Sequence, residues 1–155
     1  MGEGIEPAAA DRGLLVMASV YIKGAELSPA WITSCLNVEP DDSHIRGDPD
    51  PRVPGRLFKI GLWMIGARLD CADGSRFSLF DRVIDEVLER LTGVSVDISK
   101  LEGVESAYLD VFWCRSLPID QHLGKSVEFC VSASVLHRLA ALGLDLSVTA
   151  SNVHE

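Results

Sequence analysis

The sequence predicts an α+β fold, a two-layer sandwich in which helices cover one face of a mainly antiparallel sheet, in the order β-α-β-α-β-β-α-β. Short segments of alternating apolar and polar residues are separated by segments with apolar residues at helical spacing. Strands with one apolar face need helices on that face and leave the opposite face open. The 155 residues suit one domain.

The first elements follow a stretch without any apolar period. Residues 1–12 are predicted to be a flexible leader, followed by a single domain at 13–151 and a short tail at 152–155. Alternation from Val16 to Lys23 predicts a strand that Gly24 ends. Ser28 and Pro29 then predict a helix start, because a serine hydroxyl caps free N–H groups and proline is tolerated at the first helical position. This helix carries Trp31, Ile32, Cys35 and Leu36 on one side.

Residues 37–56 predict a long irregular loop, because their prolines and aspartates disfavour both helix and inner strand. Its acids are Asp41, Asp42, Asp48 and Asp50. The favoured interpretation is turn formation through side-chain hydrogen bonds. Calcium or magnesium is an alternative, but the calcium-loop spacing is absent. Phosphate binding by Arg46, Arg52 and Arg56 is another, although no phosphate-loop motif supports it.

The remaining elements follow by the same criteria. Strands are predicted at Leu57–Leu69, Ser106–Arg115, Val127–Ala133 and Leu144–Val148. A turn is expected at Asp73-Gly74. One helix is expected after a capping box at Ser78 and Asp81, and another is expected to be capped by Ser134 and ended by Gly143. One shared core is predicted from Trp63, Ile84, Val87, Leu109, Val111, Val131 and Leu139.

Charge and cysteine usage restrict the partners and the compartment. The chain has 14 Lys plus Arg against 23 Asp plus Glu, and its net charge of −9 would repel nucleic acid. The absence of a long apolar run and of a basic leader predicts a cytoplasmic protein that does not bind a membrane. The four cysteines form no C-x-x-C pair and are expected to be reduced, with a Cys114–Cys130 disulfide as the alternative. No cofactor and no metal are predicted.

The motifs resemble one bacterial family. Leu27-Ser28-Pro29, Ile32, Leu36, Pro40-Asp41, Gly47-Asp48 and Gly61-Leu62-Trp63, with the ending from Leu136 to Leu146, are similar to the family called domain of unknown function 4279. The resemblance covers roughly residues 16–150. Its motifs are architectural, so it implies a small intracellular bacterial protein and no particular chemistry.

The open face of the predicted sheet is the candidate binding surface. Tyr21, Tyr108, Asp110, Phe112 and Glu128 are expected to lie there, on the side opposite the core. Aromatic residues mixed with charge are typical of binding surfaces, since they combine apolar area with a polar group. The alternative is that the loop at 37–56 covers this face.

Two classes of function are compatible with these features. The first is a non-enzymatic binding protein with a macromolecular partner, for example an immunity or antitoxin-like protein that neutralises a basic toxin; homo-oligomerisation stays open. The second is a small-molecule sensor or an enzyme with a pocket between the loop at 37–56 and the sheet. A nucleophile would be Cys114 or Ser116 with His122 and Asp120, but no motif of a known nucleophile family is present.

Overall fold

The computed structural model describes residues 14–71, 76–116 and 130–153, and it has the α+β fold that the sequence predicts. The elements in chain order are β1 (Leu14–Gly24), α1 (Pro29–Leu36), β2 (Asp42–His44), β3 (Gly61–Cys71), α2 (Arg76–Glu89), a 3-10 helix (Ile98–Lys100), β4 (Ser106–Ser116), α3 (Ala133–Leu142) and β5 (Asp145–Val153).

The described strands form one mixed sheet with β1 at its centre. The strand order is β2-β3-β1-β4-β5. Strand β1 pairs antiparallel with both β3 and β4, so that Val20 lies opposite Ile65 on one side and Leu109 on the other. Strand β5 is parallel to β4, because the chain returns through α3 before β5 begins. The sheet is therefore mainly antiparallel, as predicted.

The three described α-helices pack on one face of this sheet. Alternate residues of β1, beginning with Val16, are fully buried, and they share one cluster with Ile32 of α1, Val87 of α2 and Leu139 of α3. Every member of the core predicted from the sequence belongs to this cluster or packs against it, Val131 being only partly buried. Within the described part of the chain, the opposite face carries no helix, and the candidate site lies on it.

The helix ends follow the local chemistry of the sequence. Ser28 caps α1, accepting a hydrogen bond from the backbone N–H of Trp31 at 3.3 Å, as predicted. The cap of α3 is Ser132 rather than the predicted Ser134, since the Ser132 hydroxyl accepts from the Val135 N–H at 3.2 Å. Gly143 ends α3 with a φ of +69°, a conformation that glycine adopts without steric cost. Trp31, predicted on the apolar side of α1, is 49% exposed.

Several predicted elements differ from the structure. Strand β1 begins at Leu14 rather than Val16, and β5 ends at Val153 rather than Val148, so β5 enters the predicted tail at 152–155. Strand β3 begins at Gly61 rather than Leu57, because Gly61 pairs with Gly24, the last residue of β1. The predicted irregular loop at 37–56 contains β2. The predicted fourth strand is not formed over residues 130–133, where the chain begins α3; residues 127–129 lie outside the described residues. So do the predicted leader and the turn at Asp73-Gly74. Helix α2 begins at Arg76, so Ser78 lies inside the helix and not at its predicted start.

Among the described residues no helix is long and apolar enough to cross a membrane. Three of the four cysteines, Cys35, Cys114 and Cys130, are free thiols. The alternative disulfide between Cys114 and Cys130 is therefore not formed.

Candidate functional site

The open face of the sheet brings side chains from neighbouring strands side by side. Tyr21 of β1 lies opposite Met64 of β3 and Tyr108 of β4, and Tyr108 in turn lies opposite Asp145 of β5. Opposed residues in a sheet project to the same face. Four strands therefore contribute to one surface, with the two tyrosines near its middle.

A compact cluster forms around Lys23. The rings of Tyr21 and Tyr108 are stacked with their centroids 5.4 Å apart. The Lys23 ammonium lies 5.1 Å from the Tyr21 centroid and 5.2 Å from the Tyr108 centroid, within cation–π range. Its Nζ also donates a hydrogen bond to the Tyr108 hydroxyl at 2.7 Å. All three side chains are partly buried, so the cluster is an ordered part of the surface.

Two adjoining hollows extend from this cluster. The first, of about 520 Å³, is lined by Lys23, Tyr108, Asp110, Asp145 and Thr149 among others. The second, of about 630 Å³, lies between the loop at 37–56 and the sheet and is lined by Asp42, His44, Arg52, Phe58, Leu62 and Met64 among others. Tyr21 borders both hollows. We call the two together the open-face groove.

The loop at 37–56 forms a wall of the groove and does not cover the tyrosines. Its strand β2 extends the sheet, with Asp42 opposite Met64 and His44 opposite Leu62. The His44 ring stacks on Phe58, with centroids 3.5 Å apart and planes inclined by 8°. The alternative that the loop buries the aromatic residues of this face is therefore wrong for the two tyrosines, because Tyr21 borders both hollows and Tyr108 lines the first.

Buried Asp50 holds the far part of this wall together. Its carboxylate accepts hydrogen bonds from the backbone N–H and the Nε of Arg52, both at 3.0 Å, and lies 3.5 Å from Nε of Arg56. The side-chain hydrogen bond from Arg52 is the largest cause that lowers the pKa of Asp50, and it outweighs the opposing effect of desolvation. Asp48 similarly accepts a hydrogen bond from the Ile45 N–H at 3.0 Å, so Asp48 and Asp50 both stabilise the loop itself.

We expect acid to loosen this loop. Because the pKa of Asp50 is lowered from 3.8 in the folded protein, its ionised form stabilises the fold above that value, and this contribution is lost as pH falls through the lowered pKa. Carboxyl ¹³C shifts followed against pH should show Asp50 titrating below 3.8, and Arg52→Gln should move the midpoint back towards it. An unchanged midpoint in Arg52→Gln would contradict the assigned cause.

Asp41 fastens the near end of the wall to both layers of the fold. Its carboxylate accepts from the Gly66 N–H of β3 at 2.8 Å and from the guanidinium of Arg90, which follows α2. The hydrogen bond from Arg90 is the largest cause that lowers the pKa of Asp41. Strand β2 is therefore held at a defined position beside β3, which fixes the width of the second hollow.

The structure brings together three of the five site residues predicted from the sequence. Tyr21, Tyr108 and Asp110 line the first hollow, where Asp110 accepts a hydrogen bond from the Thr149 hydroxyl at 2.9 Å. Phe112 lies on β4, two residues beyond Asp110 and on the same face, but does not line either hollow. Glu128 lies outside the described residues.

Sequence reasoning missed the contributions of β5 and of the loop. Asp145, Ser147 and Thr149 join the site because β5 lies parallel to β4. Their alternation with Leu144, Leu146 and Val148 was a signal that they face away from the core. Nothing local in the sequence indicates that His44 and Phe58 would stack. The two residues are distant in the chain, and the fold of the loop between them brings their rings together.

The other chemistries considered from the sequence lack an assembled site in the described part of the chain. No group of three or more His, Cys, Asp or Glu residues there is arranged to hold a metal. The three loop arginines are paired with acids, Arg46 with Glu26 at 2.6 Å and the other two with Asp50. Cys114 lies partly buried on β4, whereas His122 and Asp120 lie outside the described residues.

Comparison with known proteins gives one match. The model of a family described as domain of unknown function (DUF4279) matches residues 15–152, which cover the described fold except for the first residue of β1 and the last residue of β5. No curated protein and no solved structure matches the chain. The function must therefore be inferred from the open-face groove itself.

Proposed function

The chain belongs to the DUF4279 family, a domain of unknown function, and from that premise we propose that it is a non-enzymatic protein of the bacterial cytoplasm that binds a protein partner in its open-face groove. In this proposal it acts as an immunity or antitoxin-like protein does, by occupying a surface of a basic partner. The groove binds the partner through aromatic anchors and acidic side chains and catalyses no reaction.

The stacked pair Tyr21–Tyr108 is the observation that carries this proposal. Tyr21 borders both hollows and Tyr108 lines the first, and both residues remain partly exposed on a sheet face that no helix of the described residues covers. Aromatic side chains at the centre of a surface are the residues that most often dominate the energy of a protein interface. Their stacking and the bond from Lys23 restrict their rotamers, so little conformational entropy remains to be lost on binding.

The negative charge at the rim of the groove favours a basic partner. Asp42 lies at one end, Asp145 at the other and Asp110 between them, in a chain of net charge −9. Complementary charge speeds association and orients the encounter, while rim charges contribute little to the lifetime of the complex.

The dimensions of the groove suit an extended segment. It crosses the sheet from β2 to β5, which is four steps between neighbouring strands. At roughly 4.8 Å per step this is about 19 Å. An extended chain advances about 3.3 Å per residue, so about six residues of a partner would cross the groove.

Tyr21→Ala is expected to weaken binding of the partner by about 30-fold or more, because loss of a central aromatic anchor typically costs about 2 kcal/mol or more. A photo-crosslinking residue placed at Thr149 would capture and identify the partner, and calorimetry with the purified partner would give the affinities. Trp31→Ala is the matched control, since Trp31 is an exposed aromatic residue on the helical layer.

Equal affinities of the Tyr21→Ala and wild-type proteins for the captured partner would refute the proposed surface. Asp145→Asn should mainly slow association at low salt, since Asp145 is an exposed acid at the edge of the groove. If Asp145→Asn changed only the dissociation rate, the acids would not act by speeding association, and the role proposed for them would be wrong.

A small-molecule sensor is the second candidate, and the hollow beside the loop favours it. Its volume of about 630 Å³ lies in the range of ligand pockets, and the stacked His44 and Phe58 offer an aromatic wall. Thermal stabilisation by a compound from a metabolite library, lost in Phe58→Ala and retained in Tyr108→Ala, would favour this candidate over the protein partner.

A further inference from the structure

Lys23 is a cation that has no carboxylate partner among the described residues of this acidic protein. It makes no ion pair there, whereas Arg46, Arg52 and Arg90 are each paired with an acid. The Lys23 residue is partly buried, and within the described chain its ammonium donates a hydrogen bond only to the Tyr108 hydroxyl. An ammonium that has no carboxylate partner and keeps free N–H donors favours an anionic ligand group.

The hydrogen-bond inventory of this pair leaves donors available. An ammonium has three N–H donors, and one of those of Lys23 bonds to Tyr108 at 2.7 Å. The Tyr108 hydroxyl accepts that bond, so its own O–H remains able to donate. Lys23 and Tyr108 both line the first hollow. Two different donors therefore converge on one region of the groove, which is the arrangement that a carboxylate with two oxygens accepts from.

We propose that Lys23 and the Tyr108 hydroxyl bind the carboxylate of an aspartate or glutamate side chain in the bound segment of the partner. This inference rests on the proposed function and specifies the chemistry of the segment: one acidic residue over Lys23, set within an otherwise basic segment.

The neighbouring acids explain why the segment has to be mixed in charge. Asp145 lies opposite Tyr108 on the adjacent strand, and Asp110 is two residues along β4 from Tyr108. Both line the same hollow as Lys23. A segment with only acids would be repelled by these two carboxylates, and one with only basic residues would be repelled by Lys23. In a segment with an acidic residue next to a basic one, the acidic residue can pair with Lys23 and the basic residue with Asp110 or Asp145.

The test uses two capped dipeptides, N-acetyl-Glu-Lys methylamide and N-acetyl-Gln-Lys methylamide, called here the capped glutamate and the capped glutamine; the lysine in both offsets repulsion by Asp110 and Asp145. Each is titrated into the full chain at constant low salt, and NMR shifts of Tyr21, Lys23 and Tyr108 are followed. We expect saturable shifts with the capped glutamate only. Lys23→Met, which keeps most of the aliphatic stem, should weaken the response at least tenfold, since loss of a charged hydrogen bond typically costs about 1.4 kcal/mol or more.

Two further variants make the assignment specific. Tyr108→Phe removes the hydroxyl and keeps the ring, and it should weaken binding of the capped glutamate less than Lys23→Met does. Lys100→Met is the control for general charge, because Lys100 is an exposed lysine of the 3-10 helix that is already paired with Asp97. It should leave the response unchanged.

Equal shifts with the capped glutamate and the capped glutamine, retention of the response in Lys23→Met, or no response at all would each overturn the carboxylate site. These outcomes leave the proposed function separately testable. If Tyr21→Ala still weakens partner binding while the capped glutamate does not bind, the groove is the interface and only its carboxylate anchor is wrong.

Discussion

Replacing Trp63 by alanine is expected to lower the free energy of unfolding by about 3–5 kcal/mol, the range for truncating a large buried aromatic side chain. Trp63 is fully buried on the core face of β3, where its Nε1 donates a hydrogen bond to the Thr33 hydroxyl of α1 at 3.0 Å. The substitution removes the apolar ring that lies between these two elements and leaves a cavity. It also leaves the Thr33 hydroxyl without this donor.

Urea unfolding followed by circular dichroism would measure this loss. Trp31→Ala is the matched control, since Trp31 lies on the same helix as Thr33 but is 49% exposed; we expect a change within about 0.5 kcal/mol. Trp63→Phe should fall between the two, because it keeps an aromatic ring and loses the hydrogen bond. A Trp63→Ala protein as stable as Trp31→Ala would mean that the core is not assembled as described.

Gly24→Ala is expected to destabilise the fold by about 3 kcal/mol, at the upper end of the usual cost of overpacking. A Cβ at this position would lie 1.8 Å from the carbonyl oxygen of Gly103, a backbone atom that cannot move aside as the end of a flexible side chain could. The chain before β4 is held against the end of β1 by the Glu105 N–H, which donates to the carbonyl of Lys23 at 2.9 Å. Relief of the clash therefore requires these segments to separate.

The control for Gly24→Ala separates contact from backbone strain. Gly47 has a φ of +93°, and no atom lies within 4 Å of the position that an alanine Cβ would occupy there, so Gly47→Ala incurs only the conformational cost of about 1 kcal/mol. Urea midpoints of both variants at equal slope would give the two values. A smaller loss in Gly24→Ala than in Gly47→Ala would show that the junction of β1 with residues 103–105 yields easily.

The Gly24 variant also tests the site. Lys23 precedes Gly24, and its side chain bonds to Tyr108 across the same strand pair. Separation of residues 103–105 from β1 should therefore disturb the Tyr108 resonances, even under conditions where the chain remains folded.

Elements with a complete local signal were predictable from the sequence. The alternation from Val16 to Ile22 identified both faces of β1, and Ser28 with Pro29 identified the start of α1. The same alternation placed Tyr21, Tyr108 and Asp110 on the open face, where the structure has them. These predictions succeeded because the strand period and the capping of free N–H groups depend on residues close together in the chain.

Elements with an ambiguous local signal were not predictable in the same way. The alternation predicted to extend a strand to Ala133 is too short to distinguish that strand from the approach to a helix, and Ser132 instead caps α3. Strand β2 was hidden among the aspartates of the loop, because its pairing with β3 is supported by the contacts of Asp41 with Gly66 and Arg90. Both partners are distant in sequence.

The sequence by itself determined the fold class, the core face of each well-patterned strand and the presence of aromatic and acidic residues on the opposite face. Only the tertiary structure decided that Lys23 lies against both tyrosines, that β5 adds Asp145 and Thr149, and that the loop forms a wall beside Tyr21. The physical reason is the separation in sequence over which each feature is determined. Alternation and capping are set within a few residues, whereas a groove is made by strands whose order and direction depend on packing of the whole core.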